Sequence, residues 1–156
     1  VDGKVPLIVE LKVANSSTDT NGLCSKADLL LQKYHGLYCV ESFHPACVNW
    51  YHKNRPEIIR GQLAERPNAQ AKGKMCIAMT IMQYLLTNFI TRPNFIAYNH
   101  HNRHNLSRML CHCLFRNPAV AWTIRSKEEL EDNCKYFDYF VFEHFIPNSK
   151  SSSEEQ

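Results

Sequence analysis

The sequence predicts an α/β protein organised around a parallel sheet. Six short apolar runs read as strands, and each interval between them carries helix signals or loop chemistry. The first run, Leu7 to Val9, offers no polar face, as expected of a parallel strand covered on both sides. Alternation of strands with helical connections favours parallel pairing.

Val5-Pro6-Leu7-Ile8-Val9-Glu10-Leu11-Lys12 is the first predicted strand, apolar until its closing acid and base. Ser25 and Asp28 have capping-box spacing, with Ala27, Leu30, Leu31 and Tyr34 at helical intervals and Gly36 as the stop. Residues 38–43 form the second strand. Pro45 opens the next helix, Cys47, Val48 and Tyr51 share a face, and Pro56 follows its end. A short strand spans 58–63, a loop 64–74, and a helix, apolar on most of its surface, Met75 to Asn88. Phe95 to Asn99 reads as a strand after Pro93. Asn105 caps a helix carrying Leu106, Met109, Leu110, Cys113 and Leu114 on one side, stopped by Asn117-Pro118. Ala119 to Ile124 is a strand, Ser126 with Glu129 a second capping box, and Tyr139 to Glu143 the last strand.

The 156 residues suffice for one domain, expected over 1–147, and a polar, Ser-rich tail over 148–156 is expected to stay solvated. A net charge of +3 with no block of like charges gives no reason to expect a nucleic-acid partner. Seven cysteines without a Cys-x-x-Cys, several at apolar positions, favour reduced thiols and a cytoplasmic location. No signal peptide is visible. The apolar stretch from Met75 to Ile90 is too short and too interrupted to span a bilayer.

Parallel order places the ends of all strands on one rim, where α/β proteins keep their sites. Glu10, Lys12, Ser42, Phe43, Gln62, Asn99, Trp122, Thr123, Arg125 and Glu143 are predicted there. Glu10 and Lys12, two apart, emerge on one face of their strand. A carboxylate there suits a divalent cation and an ammonium suits a phosphoryl oxygen, although an ordinary strand-end ion pair explains them equally well. The five dispersed glycines form no phosphate loop.

Five segments in order resemble the glycerophosphodiester phosphodiesterase family: residues 8–12, 40–45, 60–63, 120–124 and 140–143. The resemblance implies a TIM barrel that hydrolyses glycerophosphodiesters, small-molecule products of phospholipid deacylation, to glycerol 3-phosphate and an alcohol. It implies a divalent cation (Mg or Ca) held by Glu10, a catalytic phosphate contact from Lys12, and an apolar substrate floor of Phe43 and Trp122. Trp122 also reads as a plain core aromatic.

The departures are equally specific. The family's His-Arg-Gly, Glu-x-Asp and His-Asp motifs occur nowhere in the chain. At 156 residues it is also short of the roughly 250 of a typical barrel. The expectation is a partial TIM barrel lacking its N-terminal strands, with the acid and base histidines upstream of Val1. Such an opened barrel exposes two strand edges, so the chain alone is expected to associate and to lack hydrolase activity. The alternatives are a non-catalytic binding module on the same barrel, or a barrel phosphodiesterase resembling phosphatidylinositol-specific phospholipase C.

Two further features have competing readings. His100, His101 and His104, followed by Cys111-His112-Cys113, carry zinc-type donors, but the histidines fit a solvated polar loop and the two cysteines diverge on a helix. The apolar 75–90 helix is either packed on the barrel or exposed as a peripheral membrane or partner contact.

Overall fold

The computed structural model of the chain describes residues 3–15, 17–65, 87–104, 109 and 117–147. Six strands form one sheet: β1 (Leu7–Glu10), β2 (Tyr38–Ser42), β3 (Arg60–Ala64), β4 (Phe95–Asn99), β5 (Ala119–Ile124) and β6 (Tyr139–Phe142). Every neighbouring pair is parallel, and spatial order equals chain order. A parallel sheet wound in one direction is the wall of a β/α barrel, here with β1 and β6 as its edges among the described residues.

Helices α1 (Thr20–Leu31), α2 (Pro45–Asn54), α3 (Asn88–Thr91) and α4 (Lys127–Asn133) lie in the connections. The first begins five residues before the predicted capping box. Asp19 is its cap, accepting from the Gly22 amide at 3.0 Å, and Ser25 lies inside the helix. Asp28 instead has a tertiary role: both its oxygens lie 2.6 Å from Arg55 Nη1 just beyond α2. The start of α2 at Pro45 is as predicted, with His44 Nδ1 accepting from the Ala46 amide at 3.3 Å. At α4 the Ser126 hydroxyl accepts from the Glu129 amide, while the Glu129 carboxylate accepts from the Arg125 amide, one residue before the cap. The predicted loop and helix over 66–86, and the helix predicted after Asn105 except Met109, fall outside the described residues.

Side chains alternate between two faces of the sheet. On the outer, helix-covered face, Leu11, Val40, Cys24, Cys47 and Tyr51 form one buried cluster. Ala64, Ile96, Tyr98, Ala119, Ala121, Ile124 and Phe137 form another. The inner face surrounds an open lumen. At its floor Ile8, Cys39, Ile59, Phe95, Val120 and Tyr139 border a cavity of about 580 Å³. Gly61 leaves room there for Phe95: a Cβ on it would lie 2.2 Å from that ring.

The open lumen corrects the expectation that the first strand is buried on both faces. Val9 packs against the outer cluster and Leu7 is half-buried, whereas Ile8 is 58 % exposed on the inner face. Its apolar side chain suits a filled barrel interior, but no strand beyond β1 covers it among the described residues.

Among the described residues no helix is long and apolar enough to cross a membrane.

Candidate functional site

Register puts the site together. Val9 and Val40 are partners on β1 and β2, and so are Glu10 and Glu41. Since Val40 is in the outer core, Glu10 and Glu41 both face the lumen. Two residues on, Lys12 reaches back, its Nζ 3.4 Å from Glu10 Oε2. The lysine side chain is 78 % exposed and Glu10 32 %, so this is a solvated rim pair rather than a buried lock. The strand-end ion pair expected of Glu10 and Lys12 is therefore present.

Glu41 shows what the lumen does to a carboxyl. Burial first, and then the negative charge of Glu10, push it up to about 7. Near neutral pH it shares its titration range with physiological acid–base groups. Glu41 is absent from the predicted rim, which pairs Ser42 with Phe43. Neighbours on a strand face opposite ways, so Phe43 in the lumen requires Glu41 in and Ser42 out. That two-residue phase was the available signal.

Ser42 and Gln62 therefore do not belong to the inner rim. Both are buried on the helix-covered face. Ser42 Oγ donates to the Leu11 carbonyl at 2.6 Å and accepts from the His44 amide at 3.0 Å. This hydroxyl joins the end of β1, immediately before Lys12, to the start of α2. Gln62 Nε2 donates to the carbonyls of Ser42, Phe43 and Leu63, fixing the turn that leaves β2. Both side chains position backbone rather than touch a ligand.

Phe43 and Trp122 meet on the inner face, with ring centroids 5.7 Å apart and planes at 87°. Both are half-buried, and together they supply an aromatic surface near Lys12's end of the strands. Arg125 and Glu143 pair with each other at 2.7 Å on the exposed rim after β5 and β6. Asn99 Nδ2 donates to Glu65 Oε1 at 3.0 Å.

The histidines are placed differently from the sequence expectation. His44 accepts a hydrogen bond as the cap of α2. His100 is only 4 % exposed, with Nδ1 3.3 Å from the Trp122 carbonyl and Nε2 3.8 Å from Glu129 Oε2. It steadies the backbone beneath Trp122 instead of sitting in a solvated loop. No group of three metal-type side chains comes together among the described residues, and Cys111, His112 and Cys113 lie outside them.

A divalent cation is the group the site's carboxylates suit in kind. Hard cations take about six or more oxygens. The described lumen supplies two carboxylates, one paired with Lys12 and one holding its proton toward neutral pH. These residues alone fall short of a cation site.

No family model and no curated protein matches the chain. Solved structures do. A protein from Silicibacter pomeroyi DSS-3, assigned as a glycerophosphoryl diester phosphodiesterase, aligns at TM-score 0.63 and 12 % identity over 86 % of this chain and 45 % of its own. A glycerophosphodiester phosphodiesterase from Thermotoga maritima aligns at TM-score 0.56, also at 12 % identity, over 86 % and 52 %. The glycerol uptake operon antiterminator regulatory protein of Listeria monocytogenes aligns at TM-score 0.59 and 8 % identity over 96 % and 70 %. The chain thus spans about half the length of the two phosphodiesterase structures. At these identities the likeness fixes architecture and leaves chemistry to the residues. The chain has a glycerophosphodiester phosphodiesterase-like fold, in the form of a partial TIM barrel.

Proposed function

We propose that this chain forms the phosphate-binding side of a phosphoric diester hydrolase. The substrate is a glycerophosphodiester, hydrolysed to glycerol 3-phosphate and an alcohol in glycerophospholipid metabolism. The observation that carries this reading is the Glu10–Lys12 pair at the lumen rim, opposite Glu41 and on the same face as the Phe43–Trp122 aromatic pair.

Each residue has a role that follows from its chemistry. Lys12 offers an exposed ammonium to a phosphoryl oxygen and exchanges its contact with Glu10 for one with the ligand. Phe43 and Trp122 present carbon surface to the glycerol backbone. Glu10 is the carboxylate that would hold a divalent cation, Mg or Ca, together with further donors that the described residues do not supply. Such a cation would neutralise phosphodiester charge. Glu41, next to Glu10, holds a proton or releases it near neutral pH. The acid–base histidines of such a reaction have no counterpart facing the described lumen.

That last observation favours a second reading, a binding module on the same barrel without chemistry of its own. Hydrolysis of glycerophosphocholine separates them, measured on the longest natural polypeptide containing this chain. Turnover that depends on a divalent cation, with Lys12→Ala lowering kcat about 10²–10³-fold, supports the hydrolase. Glu10→Gln should shift the cation dependence to higher concentration. Binding of glycerol 3-phosphate without any turnover supports the module.

A further inference from the structure

Trp122 lies where β5 breaks step with its neighbour. From Ala121 to Ile124 β5 advances three residues while β6 advances two, from Phe140 to Phe142. One extra residue is therefore bulged out, which is why Ala121 and Ile124, an odd number of residues apart, both join the outer buried cluster. A bulge re-aims side chains and disrupts the ladder, so backbone groups there need other partners. The Trp122 carbonyl has one in His100 Nδ1, 3.3 Å away. A carbonyl only accepts, so this nitrogen carries the proton. The imidazole itself is fixed. Asn99 is the register partner of Trp122 between β4 and β5, and its side chain caps the short 3₁₀ turn His100–Asn102 by accepting from the His101 amide at 3.0 Å. The His100 ring is 4 % exposed, and Glu129 Oε2 stands 3.8 Å from its Nε2.

We propose that His100 is a positioning residue: its Nδ1–H, donated to the Trp122 carbonyl at the bulge, sets the indole against Phe43 and so selects phosphates that carry a carbon backbone. The proposal rests on the reading of the rim as a glycerophosphodiester site. There Lys12 takes the phosphoryl group, which every phosphate has, and the aromatic pair takes the glycerol carbons, which inorganic phosphate lacks. Without the donor the carbonyl is short of a partner, the bulge relaxes, and the indole leaves its place beside Phe43. The phosphate contact is untouched, because Lys12 follows β1, at the other end of the sheet from β5.

Fluorescence and calorimetry of His100→Leu and His100→Asn, each in the Trp50→Phe chain, test this. Asn offers an amide N–H in place of Nδ1, and Leu offers none. In His100→Leu, Trp122 emission should move to longer wavelength. Glycerol 3-phosphate should bind about tenfold more weakly, the equivalent of two methylene groups losing apolar contact. Inorganic phosphate should bind as before, and His100→Asn should restore both the emission and the preference. Emission and preference unchanged in His100→Leu, or equal weakening of both phosphates, overturns the proposal. If neither phosphate binds any form, the rim reading fails by itself, and the emission alone decides the role of His100. Should His100→Leu not fold, the imidazole nitrogen NMR spectrum of the unsubstituted chain decides: a proton on Nδ1 is expected, and a bare Nδ1 overturns the proposal.

Discussion

Phe43 and Trp122 touch edge to face at 5.7 Å although β3 and β4 lie between their strands. In a flat sheet strands three apart stand about 14 Å from each other. The contact across that span records the inward curl of the wall, and it closes the aromatic end of the candidate site. Replacing Phe43 by Ala removes the ring contact, worth about 0.5–1.5 kcal/mol beyond its buried area. Trp122 emission should shift to longer wavelength, measured in a Trp50→Phe background where Trp122 is the single tryptophan. Unchanged emission would place the ring elsewhere.

Stability should fall as pH rises toward neutrality. Glu41 is pushed up to about 7 by burial and by Glu10, so the folded chain binds this proton more tightly than the unfolded chain does. Its contribution is complete below the ordinary glutamate range and is lost as pH rises through about 7. The loss is of the order of 2 kcal/mol after allowance for screening in an open lumen. Urea unfolding at a series of pH values should show this slope, and Glu41→Gln should flatten it.

The Asp28–Arg55 contact fastens α1 to the end of α2, with both carboxylate oxygens 2.6 Å from one guanidinium nitrogen. Asp28→Ala leaves a partly buried guanidinium with Glu57 as its remaining acidic partner. The expected loss is about 3 kcal/mol, the lower end for breaking a buried pair. Arg55→Ala should cost a similar amount. The double variant should lose less than the sum, as a thermodynamic cycle by chemical denaturation would show.

Ser42→Ala removes the hydroxyl joining Leu11 to the start of α2 and leaves a buried carbonyl short of a donor. A cost of about 1–3 kcal/mol follows. Because Leu11 precedes Lys12, the variant should also loosen the rim pair, visible as faster exchange of the Lys12 amide.

Much of this architecture is legible in the chain. The bounds of β4 and β5 follow from Phe95–Asn99 and Ala119–Ile124 as read, and Pro45 marks the start of α2. What the residues did not reveal is tertiary. Asp28 has helix-cap spacing, yet its partner is Arg55, twenty-seven residues away. His100 sits in a polar stretch, but the end of β5 and α4 bury it, a fact visible only once β4 and β5 are paired. Ile8 looks buried because its neighbours are apolar, and it is exposed because the wall is open. Glu10 and Lys12 were legible as a pair from strand period alone. Glu41 needed the register between β1 and β2, which one strand cannot disclose.

The central claim is that Lys12 at the lumen rim, beside the Phe43–Trp122 surface, binds the phosphate end of a glycerol phosphate. Titrating glycerol 3-phosphate into the Trp50→Phe protein while following Trp122 fluorescence tests it most directly. Saturable quenching that is weakened at least about tenfold by Lys12→Ala, the equivalent of 1.4 kcal/mol, is the predicted result. Quenching that is absent, or indifferent to the loss of Lys12, would contradict it.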